Sequence, residues 1–249
     1  MPDGSSISNE VEKNGFATCR AVASPSEIAE LLAAISRMNE HSGLRKKMGV
    51  FAVRNLLEEC PEIRKFASLP LVRRLVEPVL GRECFPVRGI LFDKVPEANW
   101  KVPWHQDVTI AVQNRIDADG FGPWSTKADV LHVQPPAAVL DKMLSLRLHL
   151  DPCGEENGAL RVITGSHRQG RIPEELIPAI RKANPEHVCV VGAGDVLLMR
   201  PLLLHASSAS SVPNHRRVVH IDFAAVQLPV GMGWFLGADS LPPAKSHFR

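Results

Sequence analysis

Apolar residues change their spacing near residue 84. Before that point they recur every three or four positions, and after it they alternate with polar residues or run in short blocks between turn residues. The first spacing is that of helices and the second that of strands. The clearest helix lies in SPSEIAELLAAISRMNEHSG (24–43), with Ser24 as N-cap, Pro25 at the first helical position, Glu27 completing a capping box and Gly43 near the end. Ile28, Leu31, Leu32, Ile35 and Met38 make its buried stripe. Further helices are expected over 61–69 and 70–80, the second stopped by Gly81. The first ten residues, polar and terminal, are expected to be loosely held.

Strands are expected over 85–94, 104–112, 144–151, 159–163, 189–191, 196–200 and 217–226. Two long pieces between them, 113–142 and 165–185, read as irregular, with a short helix around 174–183. Loops of that length inside a compact protein commonly form lids or substrate walls. No internal repeat appears. The organisation expected is one domain over 1–249: a mainly helical part (1–83), a β core (84–228) interrupted by 113–142 and 165–185, and a tail (229–249). Many short strands after a set of helices point to a barrel or sandwich, mainly β with flanking helices.

Composition adds exclusions. A hydrophobic content of 45%, a charged content of 22% and a net charge of +2 give no electrostatic case for nucleic acid or a membrane surface. No apolar run reaches the ~20 residues of a membrane span, the first residues contain no hydrophobic signal core, and a cytoplasmic location is expected. The five scattered cysteines form no Cys-x-x-Cys pair and are expected to be reduced and buried. The basic run Arg45, Lys46, Lys47 reads as a solvated face.

The chemistry begins at VPWHQDVTI (102–110). Residues two apart on a strand share a face, so His105 and Asp107 would offer an imidazole and a carboxylate to one point. A second histidine would complete a triad that holds one face of a metal ion and leaves the other open, and RPLLLHASSAS supplies His205. Arg216 follows eleven residues later at the start of RRVVHIDFA, where it shares a face with Val218, His220 and Asp222. A guanidinium there could bind a carboxylate in two-pronged fashion, and a register slip of one would hand that role to Arg217.

The succession His105-Gln106-Asp107, then ENGALRVITGSHRQG (156–170), then His205 with Arg216 eleven residues on, resembles the phytanoyl-CoA dioxygenase family over roughly residues 85–226. The resemblance implies a double-stranded β-helix, a cupin-like jelly-roll barrel with the N-terminal helices packed outside. It implies Fe(II) held by His105, Asp107 and His205, with 2-oxoglutarate and O2 as cosubstrates and ascorbate as the reductant in vitro. The far carboxylate of 2-oxoglutarate would meet Arg216 and Ser207, and Gln106 also matches the family. Many relatives carry tryptophan where this chain has Arg147 in SLRLHLD, which brings a charge near the cosubstrate. Asp107 argues against halogenation, because halogenating relatives replace that carboxylate with a small residue. The implied activity is hydroxylation or another oxidation of a C–H bond in a small organic substrate, with decarboxylation of 2-oxoglutarate to succinate and CO2.

Other readings stay open. A zinc-dependent hydrolase or isomerase on a cupin-like barrel would use the same triad, and so would a non-catalytic ligand-binding barrel. His167, Arg54, His149 and the tryptophans Trp100, Trp104 and Trp124 stand near the segments in question, as cavity wall or as structure.

Overall fold

The computed structural model describes residues 3–41, 51–94, 99–127, 129–212 and 215–236. The first stretch holds α1 (Gly4–Asn14), β1 (Phe16–Cys19) and α2 (Pro25–His41). Then come β2 (Phe51–Arg54), α3 (Leu56–Glu59), α4 (Pro61–Ala67), α5 (Pro70–Leu80) and the long β3 (Phe85–Lys94). The middle of the chain forms β4 (Val102–His105), β5 (Ile110–Val112), β6 (Trp124–Lys127), β7 (Val130–Val133), α6 (Ala137–Leu140) and β8 (Met143–His149). The remainder forms β9 (Leu160–Ile163), α7 (Ile177–Ala183), β10 (Glu186–Cys189), β11 (Val196–Met199), β12 (His205–Ser207) and β13 (Arg216–Ala224). Arg45, Lys46, Lys47 and Gly43 lie outside the described residues.

The fold is mainly β with flanking helices, in jelly-roll form. One antiparallel sheet has six strands in the order β1-β11-β8-β13-β3-β2, a second has four in the order β10-β9-β12-β4, and β5-β7-β6 make a third. The six- and four-stranded sheets face each other across a cavity and do not close into a continuous barrel. Alternation explains how the large sheet is covered. On β8 the residues Leu144, Leu146 and Leu148 join the core formed with Ile7, Val11, Leu31, Val72 and Leu75 of the helices, while Ser145, Arg147 and His149 point the other way and are also buried. On β13, Val219, Ile221 and Phe223 enter the same core, whereas Val218, His220 and Asp222 face the cavity.

Several expectations need correction. The N-terminus is ordered as α1: Asp3 caps it by accepting from the Ser6 N–H at 2.8 Å, and Ile7 and Val11 are buried. Two apolar residues at i and i+4 make too sparse a stripe to be read alone. The helical N-terminal part also supplies both edge strands of the large sheet, β1 and β2. The strand expected over 104–112 breaks after His105, and its second half, β5, joins a different sheet. The stretch 113–142 contains the β6–β7 hairpin and α6; the hairpin turn carries Asp129 at φ 62°, without the Asn-Gly signature that marks such turns in sequence. The capping box of α2 is present, with Ser24 N–H donating to Glu27 Oε2 at 2.7 Å. Gly15, at φ 85°, ends α1 where a Cβ would come within 2.6 Å of both His167 and Leu203. His167 is thereby placed against α1, its Nε2 3.2 Å from the Glu12 carbonyl.

Asp195 ties β1 to the turn before β11, accepting from the Ala21 N–H at 2.8 Å, the Gly192 N–H at 2.7 Å and Arg20 at 2.6 Å. Burial raises its carboxyl, but the two backbone N–H groups and then Arg20 outweigh burial and lower it. A depressed carboxylate stabilises the fold above the unfolded-state pKa and loses that contribution as pH falls through the folded value. Asp195→Ala should therefore cost about 2 kcal/mol near neutral pH, mostly from the backbone donors because Arg20 is largely exposed. The gap between wild-type and variant melting temperatures should shrink as pH drops below about 4; a gap constant down to pH 2 would refute the assignment.

Candidate active site

His105 and His205 are direct cross-strand partners on β4 and β12, with ring centroids 4.2 Å apart. That pairing puts both imidazoles on one face of the small sheet. Each ring has its tautomer set in the same way: His105 Nδ1 donates to the Pro103 carbonyl at 2.8 Å and His205 Nδ1 donates to the Leu203 carbonyl at 2.8 Å. A carbonyl only accepts, so both Nδ1 atoms carry a proton and both Nε2 atoms are turned toward Asp107. Asp107 lies just beyond the end of β4, held by its N–H to the Pro201 carbonyl at 2.9 Å, and still meets the histidines. Its Oδ1 is 3.6 Å from His105 Nε2 and its Oδ2 is 3.6 Å from His205 Nε2. All three potential ligand atoms lie within 4.8 Å of one another.

Two neutral imidazoles and one carboxylate are the donor set of an open-faced ferrous site, and the residues present fit one. Burial raises the Asp107 carboxyl, but His205, His105 and Arg147 outweigh it and hold the group well below the usual carboxylate range. The side chain is 34% exposed, and that exposure is to the cavity. Burial pushes His205 down to about 3, with Arg147 and His105 adding to the effect against Asp107. Arg147 donates to Asp107 Oδ2 at 2.9 Å and reaches within 3.5 Å of His205 Nε2. It is buried, as is its Nε, which has no hydrogen-bond partner among the described residues.

The triad opens on a cavity of about 410 Å³ between the sheets, within the usual range for a small-molecule site. Arg216 and Lys94 face each other at one end as cross-strand partners on β13 and β3. Lys94 donates to Ser207 Oγ at 3.1 Å and to the Ser208 carbonyl at 2.8 Å, beneath the ring of Trp100. Arg216 donates to the Gly158 carbonyl, and its buried Nε has no hydrogen-bond partner among the described residues. Burial, and then the neighbouring Arg216, pushes Lys94 down to about 7. A buried and a half-buried cation opposed on a sheet are a poor arrangement unless an anion comes between them. Arg217 points away and is clamped by Asp151 at 2.7 and 2.8 Å, so the arginine at the cavity is Arg216.

Gln106 is buried among backbone groups and is not part of the cavity wall. Its Nε2 donates to the Gly170 and Leu202 carbonyls at 2.8 and 2.6 Å, and its Oε1 accepts from the Ile172 N–H at 2.8 Å. These bonds pin the bend between the metal pair to the loop beyond β9. His149 and His220 line the cavity together with Arg147. Burial first, then Arg216 and Arg147, takes His149 down to about 3, and His220 is likewise held well below its usual value. Trp104 lies between Arg161 and Arg181 and outside the cavity, and Trp124 packs near Arg115. Sequence reading missed Lys94; its signal is the alternation of β3, which puts it on the same face as Arg88, Ile90 and Phe92.

A jelly roll holding a two-histidine, one-carboxylate site beside a buried cationic end defines the class of protein. The chain belongs to the phytanoyl-CoA dioxygenase family, whose profile matches residues 11–218. Among solved structures it is similar to AviO1 from Streptomyces viridochromogenes Tue57 (TM-score 0.66, 23% identity, covering 92% of this chain and 98% of that one). It is also similar to the epimerase SnoN in complex with Fe3+, alpha ketoglutarate and nogalamycin RO (TM-score 0.71, 17% identity, 96% and 97% covered). EctD from S. alaskensis with 2-oxoglutarate and 5-hydroxyectoine matches at a TM-score of 0.67 with 18% identity, covering 88% of this chain and 75% of that one. No curated protein matches the chain significantly. Among the described residues no helix is long and apolar enough to cross a membrane.

Removing the side chain that orients a ligating carboxylate typically costs about 10- to 100-fold in metal affinity. Arg147→Met should do so for manganese(II), measured by equilibrium dialysis, while leaving the melting temperature of the metal-free protein close to wild type. Unchanged manganese affinity would mean that Arg147 does not orient Asp107.

Proposed function

We propose that the protein is an iron(II)- and 2-oxoglutarate-dependent dioxygenase that hydroxylates a C–H bond of a small organic molecule. The observation that carries this reading is the convergence of His105, Asp107 and His205 on a cavity whose far end holds the uncompensated pair Arg216 and Lys94. Structures of related fold bind the same set: SnoN with Fe3+ and alpha ketoglutarate, and EctD with 2-oxoglutarate. A ferrous ion bound here would supply dioxygen activation coupled to decarboxylation of 2-oxoglutarate to succinate and CO2.

The chain's own residues perform the rest. His105 and His205 turn their Nε2 atoms toward the site because two backbone carbonyls hold the Nδ1 atoms on the far side. Asp107 adds the one negative charge, and Arg147 keeps one of its oxygens occupied. Arg216 and Ser207 bind the far carboxylate of the cosubstrate, and Lys94 supplies a second positive charge to it. The buried faces of β8 and β13 exclude water from the reacting carbon. The substrate is a small molecule, and the five free, buried cysteines suit a cytoplasmic location.

The alpha ketoglutarate dependent epimerase SnoN and carbocyclase SnoK share this fold, so a second reading keeps the same oxidant and ends in hydrogen removal without oxygen insertion. A zinc hydrolase would leave Arg216 opposite Lys94 without a purpose.

Purified protein with Fe(II), ascorbate and 2-oxoglutarate should release succinate slowly in the absence of substrate, and His205→Ala and Asp107→Ala should abolish that release. Arg216→Ala and Lys94→Ala should instead raise the KM for 2-oxoglutarate by roughly tenfold or more, the scale of one charge-assisted pair. Failure of wild-type protein to make succinate, together with zinc-dependent hydrolysis, would sink the oxygenase reading. Product mass separates its two forms: hydroxylation adds one oxygen atom, and epimerisation adds none.

A further inference from the structure

The cavity carries more positive charge than a single dicarboxylate can use. Arg54 on the edge strand β2 and Lys127 on β6 also line it, and Arg88 lies between them, paired to Asp222 at 2.6 Å. Arg54 has no hydrogen-bond or ion-pair partner among the described residues, and the polar contact of Lys127 is a 3.4 Å approach to Thr109 Oγ1. With Arg88 neutralised by Asp222, two half-buried cations remain uncompensated, and such groups are costly unless something negative meets them.

This second pole is separate from the first. Arg216 stands opposite Lys94, whereas Arg54 stands opposite Ile90, four residues back along the same strand β3. At about 3.3 Å per residue the two rows are about 13 Å apart at the level of the backbone. The carboxyl carbons of a five-carbon diacid are four C–C bonds of about 1.5 Å apart, at most about 6 Å. The cationic neighbours divide in the same way: after burial, Lys94 is lowered by Arg216, while Lys127 is lowered by Arg54 and Arg88 against a smaller opposing effect of Asp107. Arg54 shares its row with Arg147, three strands away across β3 and β13, so this pole lies to one side of the triad in the direction away from β8.

We infer that the molecule to be oxidised is itself an anion, and that its carboxylate or phosphate is held by Arg54 and Lys127 while a carbon elsewhere in it faces the triad. This rests on the oxygenase reading and names the substrate class of that site. Arg54 offers a planar fork suited to either oxyanion, and Lys127 comes from the hairpin inserted between β5 and β8, which makes that hairpin a specificity element.

The test uses the full chain loaded with manganese(II) and saturating 2-oxoglutarate, titrated calorimetrically with hexanoate, hexyl phosphate and the neutral match hexanamide. At least one of the two acids should bind about tenfold or more tightly than the amide, and the tighter acid identifies the anion. Arg54→Ala and Lys127→Ala should each reduce that preference about tenfold, and Arg54→Lys less. Their own binding of 2-oxoglutarate should stay within about twofold of wild type, as for well-separated sites, while Arg216→Ala loses it. No discrimination between acids and amide by wild-type protein overturns the inference without recourse to any variant. Equal loss of 2-oxoglutarate binding in Arg54→Ala and Arg216→Ala overturns it too, by assigning Arg54 to the cosubstrate. Failure of wild-type protein to bind 2-oxoglutarate at all would be a different result, and would remove the oxygenase reading beneath it.

Discussion

The structure depends on a sheet that must bury both of its faces. β8 and β13 run through the middle of the six-stranded sheet, their leucines, isoleucine and valine under the helices and their arginine, histidines and aspartate toward the cavity. Burying the first face drives folding, at about 25 cal/mol per Å² of apolar surface removed from water. Burying the second face obliges every polar group on it to find a partner inside the molecule. The inner face is thus both a requirement of the fold and the material of the site.

Two of its charges are answered within the chain. Arg147 holds Asp107 and Arg88 holds Asp222, each a cation on the large sheet matched by a carboxylate nearby. The others are not: Arg216 opposes Lys94, and among the described residues Arg54 and Lys127 form no ion pair with an acid. The unpartnered Nε atoms of Arg216 and Arg147 belong to the same pattern. Folded without ligands, the cavity is electrostatically incomplete, and oxyanions are the groups that would complete it. Local rules of stability are broken where a protein binds.

Arg147 is the residue at which the sequence reading expected a departure from the family pattern. Its guanidinium is bound directly to the carboxylate that stands beside the two histidines. That bond couples the large sheet to the triad, whose members sit on or next to the small sheet. Gln106 does comparable work with backbone partners, fixing the bend between His105 and Asp107 through Gly170, Leu202 and Ile172.

Much of this was legible in the chain. The capping box of α2, the alternation of β3 and β13, and the order of His105, Asp107, His205 and Arg216 are local patterns, and a local pattern survives being read in one dimension. The four-residue strands β1 and β2, the short hairpin β6–β7 and helix α1 were not legible, because their few apolar positions gain their stabilisation from distant partners. The strand rule paired His105 with Asp107, and the two side chains do meet, although Asp107 lies beyond the strand. By itself the sequence determined which side chains were available and on which face of each strand they would lie. Only tertiary structure decided that His105 would stand opposite His205, Arg216 opposite Lys94, and Arg54 four residue pairs away from both cations. Those are matters of register between strands remote in sequence, and register is set by the packing of the whole sheet.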